Sequence, residues 1–231
     1  MRLIPRWIRR PFEDSLGPIA DRLIGAQVHP NTLTTLGFAA LVASSVAFAM
    51  GAVRVAGALL LLSGVLDMLD GKVARGGGQL SRFGAFYDST LDRVGEAVLF
   101  GGITVFFMRG GVPSSYAVYA VMASTVAMAA GLIVSYTRAR AEGLMLECKV
   151  GMAQRAERIV LLGFPMIFLG PGPDGLVLLG IVTVLALLAV ITVVQRVHHV
   201  YKVTHSAVLE ELPREPVAAL VESVEKGQSG D

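Results

Sequence analysis

Apolar blocks of about 20 residues, the length that crosses the hydrocarbon core of a bilayer, recur along this chain. They fall at 33–53, 55–74, 85–108, 115–137, 156–171 and 176–200, the fifth being the shortest. No other feature restricts the fold as much. In lipid every backbone N–H and C=O must be satisfied internally, and for blocks of this length that leaves the helix. Composition points the same way: 54% of the 231 residues are apolar and 16% charged, with mean hydropathy +0.64, whereas a soluble domain carries about 25% charged residues. The reading is an all-α integral membrane protein, with six transmembrane helices in one domain over 28–204 and short flanking segments at 1–27 and 205–231.

The first flank places Leu3, Ile4, Trp7, Ile8, Phe12, Leu16, Ile19, Leu23 and Ile24 at helical spacing with arginines between them. This predicts an amphipathic juxtamembrane helix, either lying at the membrane surface or packed on the protein. The chain opens MRLIPRWIRRPFEDS, without an apolar core and cleavage site, so no signal peptide is expected. The last flank is acidic, proline-punctuated and ends KGQSGD, the composition of a solvated tail. Cys148 is the single cysteine, which excludes an internal disulfide and a cysteine-based metal site. His198, His199 and His205 follow the last apolar block and are read as interfacial rather than metal-binding.

Basic residues alternate between the loops. Arg2, Arg6, Arg9 and Arg10 precede the first block; Lys72, Arg75 and Arg82 lie between the second and third; Arg138, Arg140, Lys149, Arg155 and Arg158 lie between the fourth and fifth; Arg196 and Lys202 close the last. The opposite loops hold Arg54, Arg109 and the turn GPGPDG. Under the positive-inside rule both termini face the cytoplasm in a cell membrane.

Four carboxylates interrupt this apolar text: Asp67 and Asp70 near the end of the second block, Asp88 and Asp92 near the start of the third. Each costs roughly 2.5–3.5 kcal/mol at bilayer depth on insertion scales, about 10–14 kcal/mol for four. Asp67 and Asp70 are at i, i+3 and Asp88 and Asp92 at i, i+4, so each pair shares one helix face. If the helices joined through Gly76-Gly77-Gly78 are neighbours, the pairs converge, and carboxylates so close require a counter-charge. Two divalent ions about 3.5–4 Å apart supply it and suit phosphoryl chemistry. All-oxygen ligation favours Mg²⁺, with Mn²⁺ also admissible. Gly71 and Gly84 leave room for a ligand near the backbone, and Arg75 offers a forked donor to phosphate oxygens. The plainer alternative has Asp88 and Asp92 paired with Arg82 or Arg93. A Mg²⁺ transporter is the reading from another class. Against it, the acids cluster at one face and no inverted repeat of broken helices is visible.

The pattern Asp67-x2-Asp70-Gly71-x2-Ala74-Arg75-x8-Gly84-x3-Asp88-x3-Asp92 resembles the signature of the CDP-alcohol phosphotransferases. His29-Pro30-Asn31-Thr32-Leu33-Thr34, ahead of the first block, is similar to the segment that leads into that family's first span. The resemblance implies transfer of a substituted phosphate from a CDP-linked donor to an alcohol with release of CMP. The donor it implies is CDP-diacylglycerol, or CDP-archaeol in archaea. It further implies that Asp67, Asp70, Asp88 and Asp92 hold metal and that Asp92 also takes the acceptor's proton. Asn31, Thr32, Leu33, Thr34, Asp70, Gly71, Ala74, Arg75, Ser81 and Gly84 would meet the CDP moiety. Family members are commonly homodimers, surrounded by membrane lipid, and no nucleic-acid partner is expected.

The acceptor is sought in the segment 135–162, SYTRARAEGLMLECKVGMAQRAERIVLL. Its arginines either grip lipid head groups or form a pocket for an acceptor that carries its own phosphate. Arg138 before Ala139-Arg140-Ala141-Glu142, then Arg155-Ala156-Glu157-Arg158, then Arg196 resembles the branch that makes phosphatidylinositol phosphate from inositol 1-phosphate. Two positions depart from that pattern: Arg138 stands where lysine is usual, and Gln154 replaces a frequent acid. Arg138, Arg158 and Arg196 are the expected phosphate ligands. Glycerol 3-phosphate, giving phosphatidylglycerol phosphate, is the alternative acceptor.

Overall fold

A computed structural model describes residues 14–148, 150, 151 and 155–211. Helix α1 spans Gly17–Gly25, α2 Pro30–Ala49, α3 Val53–Gly76 and α4 Arg82–Phe106. A single wide helical turn, Phe107–Gly111, follows; α5 is Ser114–Gly143, α6 Arg155–Leu169 and α7 Leu176–Glu211. Local chemistry sets the starts. Pro30 occupies the first turn of α2, where its missing N–H costs nothing, and His29 Nδ1 accepts the Asn31 N–H at 3.2 Å. Ser81 caps α4, its Oγ accepting the Gly84 N–H at 2.9 Å. Between α2 and α3, Gly51 takes φ +81°, a conformation that lets the chain reverse directly after a helix.

Helix α2 packs against both α3 and α4; α3 packs on α6, α4 on α5, and α5 on α7. Small residues make the crossings close. A Cβ on Gly57 would stand 2.8 Å from the Gly163 carbonyl, and one on Gly102 would stand 2.2 Å from that of Ser45. Hydroxyls bind the crossings: Ser44 donates to the Ala56 carbonyl at 2.8 Å and Ser45 to that of Val98 at 2.6 Å. Phe48, Leu60, Ile103, Phe107, Leu162, Met166, Leu178 and Leu185 are fully buried between the helices. The perimeter is apolar as well, with Val46, Val55, Met108, Val118, Met122, Leu187 and Val194 among its exposed side chains. An outer surface of this kind is solvated by lipid rather than water.

The structure corrects the expectation of six spans. Among the described residues three helical stretches are long and apolar enough to cross a membrane: Pro30–Ala49, Ser114–Gly143 and Pro173–His205. Helices α3 and α4 have the length, 24 and 25 residues. Any 18-residue window of either, however, carries at least three charged side chains, drawn from Arg54, Asp67, Asp70 and Lys72 or from Asp88, Asp92, Arg93 and Glu96. Helix α6 has 15 residues, too few. The separate interfacial helix is corrected too. Within the described part of that flank, Leu16 and Ala20 are buried in a cluster with Leu33, Leu69 and Val73, and α1 packs on α3. It is a helix docked on the protein. Residues 1–13 and 212–231, which hold the rest of the two flanks, lie outside the described residues, as do Lys149 and Gln154.

Candidate metal centre

The carboxylates meet because the start of α2 packs against the end of α3, where Thr34 meets Asp70, and against the beginning of α4, where Thr35 meets Tyr87. Asp67, Asp70 and Asp88 each bring an oxygen to within 4.8 Å of the other two. Three anionic oxygens so close form a donor set for a hard divalent cation. A further observation fits that ion. Asp88 Oδ1 is buried without a hydrogen-bond partner, although buried carboxylate oxygens are normally satisfied. Asp70 is oriented from α2, where the Thr34 hydroxyl donates to its Oδ2 at 2.7 Å. Asp70 and Asp92 lie on helices outside the three long apolar ones. Burial above all, helped by neighbouring carboxylates, pushes both up to about 7, against the opposing pull of Thr34 on the first and Arg155 on the second. A bound cation would reverse that direction by favouring the charged forms.

Asp92 lies beside this triad with different company. Its Oδ1 is 2.6 Å from Arg155 Nη1, and the same nitrogen donates to Asp67 Oδ1 at 2.7 Å. Arg93, the partner that the plainer reading offered, reaches Asp92 only at 3.9 Å.

Three comparisons bear on this arrangement. Residues 27–200 match the CDP-alcohol phosphatidyltransferase family. The chain belongs to that family. The archaetidylinositol phosphate synthase of Methanothermobacter thermautotrophicus is 40% identical over 147 residues, which cover 64% of this chain and 69% of that protein. The phosphatidylinositol phosphate synthase of Mycobacterium tuberculosis with CDP-DAG bound superposes with TM-score 0.67 at 31% identity, covering 78% of this chain and 90% of that one. The same protein in complex with manganese and citrate gives TM-score 0.68 at 31% identity, over 80% and 88% of the two chains.

As a member of this family the chain is an enzyme. The positions expected to meet CDP gather around that site on three helix ends. Asn31, Thr32, Leu33 and Thr34 form the first turn of α2, Gly71, Ala74 and Arg75 the last turns of α3, and Ser81 and Gly84 the start of α4. A Cβ on Gly84 would lie 2.9 Å from Ser81 Oγ and 3.2 Å from Asn31 Oδ1, so that glycine lets α2 and α4 approach. The Arg75 guanidinium folds back over Gly71, 3.2 Å from where a Cβ would stand. Leu33 is the exception: its side chain is buried in the apolar cluster with Leu69 and Val73, which leaves only its backbone for a ligand.

Each of the three arginines expected at an acceptor phosphate has a protein partner in the structure, although Arg158 Nε and Nη1 are buried without one. Arg138 is exposed and donates through Nε to Glu142 Oε1 at 2.9 Å, one turn along its own helix. Arg158 is buried and paired with Glu96, at 3.0 and 3.1 Å to its two oxygens. Arg196 is buried and donates to the backbone carbonyls of Val150 and Val134. Arg196 nevertheless lies within electrostatic range of both Arg138 and Arg158, and Arg158 within range of Arg155. The bases therefore form a track that begins at the aspartates, and the member that touches them is Arg155. Sequence reasoning counted Arg155 in the basic cluster but gave it no role. At i, i+3 it shares a face with Arg158, so spacing could not say which of the two meets the acids. Glu96, the partner of Arg158, was missed, although an acid one turn beyond Asp92 within an apolar block is itself a signal.

Proposed function

We propose that the enzyme transfers a phosphatidyl-type group from a CDP-linked diradylglycerol to the hydroxyl of inositol 1-phosphate, releasing CMP. The observation that carries this reading is the convergence of Asp67, Asp70 and Asp88 within 4.8 Å, with Asp92 adjoining, in a chain of this family. The names of the relatives supply the lipid product, an inositol phosphate ester of either a diacyl or an archaeol lipid. Asp67, Asp70 and Asp88 hold divalent metal, Mg²⁺ or Mn²⁺, in keeping with the manganese complex of the mycobacterial relative, and Asp92 completes the set for a second ion. When bound, the metal polarises the phosphoryl oxygens and stabilises the departing CMP.

The chain's own residues do the rest. Asn31, Thr32, Thr34, the Leu33 backbone, Gly71, Ala74, Arg75, Ser81 and Gly84 orient the CDP portion between the ends of α2, α3 and α4. Asp92 accepts the acceptor's hydroxyl proton, so that the alcohol oxygen bonds to the lipid-bearing phosphorus as the bond to CMP breaks. Arg138, Arg158 and Arg196 carry the acceptor's phosphate, and the nearness of Arg196 to the other two supports that assignment even though each has a protein partner. We place the site on the cytoplasmic side, from the basic residues that surround it, and expect the enzyme to be a homodimer.

CMP release by the purified protein tests this directly. CDP-diacylglycerol and CDP-archaeol are offered with Mg²⁺ and, separately, inositol 1-phosphate, glycerol 3-phosphate, serine and free inositol. Release that requires inositol 1-phosphate, and falls by about a thousandfold or more in Asp92→Asn, is expected. Release with glycerol 3-phosphate alone would keep the mechanism and overturn the acceptor.

A further inference from the structure

The site already contains a cation that belongs to the chain. One nitrogen of Arg155, the first residue of α6, stands 2.7 Å from Asp67 on α3 and 2.6 Å from Asp92 on α4. Asp67 is one of the three converging carboxylates, and Asp92 adjoins them. A carboxylate oxygen in contact with a hard divalent ion sits about 2.0–2.6 Å from it. A guanidinium bonded to the same oxygen would then lie against a like charge of twice its size. The two therefore compete for these carboxylates.

Arg155 also has somewhere else to go. It forms part of the wall of two adjacent cavities. One is the polar space bounded by Thr34, Asp67, Asp70 and Asp92. The other is lined by Leu60, Leu99 and Ile159 together with Glu96 and Arg158. Glu96, which also pairs with Arg158, is thus a third carboxylate within electrostatic range of Arg155.

Resting on the metal reading given above, we infer that Arg155 is the counter-cation of the aspartate cluster when metal is absent, and that a divalent ion binds by displacing it toward Glu96. The arginine therefore holds α3, α4 and α6 together in the metal-free enzyme and opposes metal binding. The ion's apparent affinity is lowered by the fraction of molecules in which the guanidinium occupies the carboxylates. Ligands that add oxygens to the ion, such as a pyrophosphate, then favour the exchange, so that metal and donor load together.

The experiment is a Mn²⁺ titration followed by electron paramagnetic resonance of the free ion. It uses the full chain in lipid nanodiscs without substrate, and compares the wild type with Arg155→Gln, Arg155→Lys and Asp70→Asn. Thermal unfolding is measured in parallel, in EDTA and in saturating Mn²⁺. If the arginine-occupied form dominates by about ten to one, Arg155→Gln binds Mn²⁺ about tenfold more tightly. It also unfolds at a lower temperature than the wild type in EDTA, a gap that closes in Mn²⁺. Arg155→Lys, which keeps the charge but loses the fork, falls between. Should Arg155→Gln fold only when Mn²⁺ is present, that too is the expected sign. Unchanged or weaker Mn²⁺ binding in Arg155→Gln, with binding lost in Asp70→Asn, overturns the inference and leaves the metal site standing. Wild-type Mn²⁺ binding in Asp70→Asn removes the metal site, and the inference with it.

Discussion

Asp67, Asp70 and Asp88 leave two helices and meet within 4.8 Å, whereas Arg138, Arg158 and Arg196 leave three helices and each ends on a different protein partner. The difference is one of scaffolding. The acids sit at i, i+3 and i, i+4 on helices that both pack against α2, so backbone geometry alone sends them to one volume. The arginines are long and flexible, and a guanidinium finds whichever carboxylate or carbonyl lies within its reach. Short acids on neighbouring helices therefore converge without any ligand to gather them. A concentration of arginines becomes a site only when a ligand outcompetes the partners they already have.

Removing one acid breaks the comparison on its firmer side and gives the largest effect. Asp88→Asn deletes a charge whose Oδ1 is buried and unpartnered. CMP release should fall by about a thousandfold, the effect of losing several kcal/mol of metal-derived stabilisation. The fold should not suffer. In EDTA the variant should unfold no lower than the wild type, because a buried like charge beside Asp67 is gone. A melting temperature well below wild type in EDTA would show that Asp88 serves packing instead.

The next effect comes from the basic side. Arg158 is 7% exposed and relies on Glu96, and a Cβ on Gly131 would fall 2.4 Å from Glu96 Oε1, so the pair is enclosed by backbone as well. Glu96→Ala strands a buried guanidinium and should cost about 3–5 kcal/mol of stability. The double variant Glu96→Leu, Arg158→Leu should recover most of that in equilibrium unfolding, since an apolar replacement of a buried ion pair is often neutral. If the double variant binds inositol 1-phosphate with an unchanged KM, Arg158 is a structural residue and the acceptor pocket lies elsewhere on the basic track.

These two regions also show how far the sequence carried. The apolar blocks at 55–74 and 85–108 became α3 at Val53–Gly76 and α4 at Arg82–Phe106, because hydrophobic period and capping residues act locally. What the blocks could not tell was how many of them span a membrane. That depends on charge within the helix, and Asp67, Asp70, Asp88 and Asp92 make α3 and α4 site-bearing helices that fail the apolar test met by α2, α5 and α7. The aspartate cluster was legible for the same local reason. The partners of the arginines were not: Arg155 reaches Asp67 across 88 residues of chain and Arg158 reaches Glu96 across 62, and no periodicity records a contact of that kind.

Arg138 gives the smallest stability effect and the finest distinction. Its side chain is 52% exposed, and its ion pair with Glu142 is an i, i+4 pair on the surface of α5. Such pairs contribute about 0.3–0.5 kcal/mol, so Arg138→Gln should leave unfolding nearly unchanged. Its effect should appear in kinetics. A charge-assisted bond to a phosphate contributes about 1.5–3 kcal/mol, which predicts a KM for inositol 1-phosphate raised by roughly ten- to a hundredfold while kcat holds. Glu142→Gln supplies the control, because it releases Arg138 from its protein partner and should lower that KM. Equal loss of kcat and kcat/KM in Arg138→Gln would instead tie this arginine to the reacting centre. An unchanged KM in both variants would return it to the membrane surface, where an arginine on an exposed helix face meets anionic head groups.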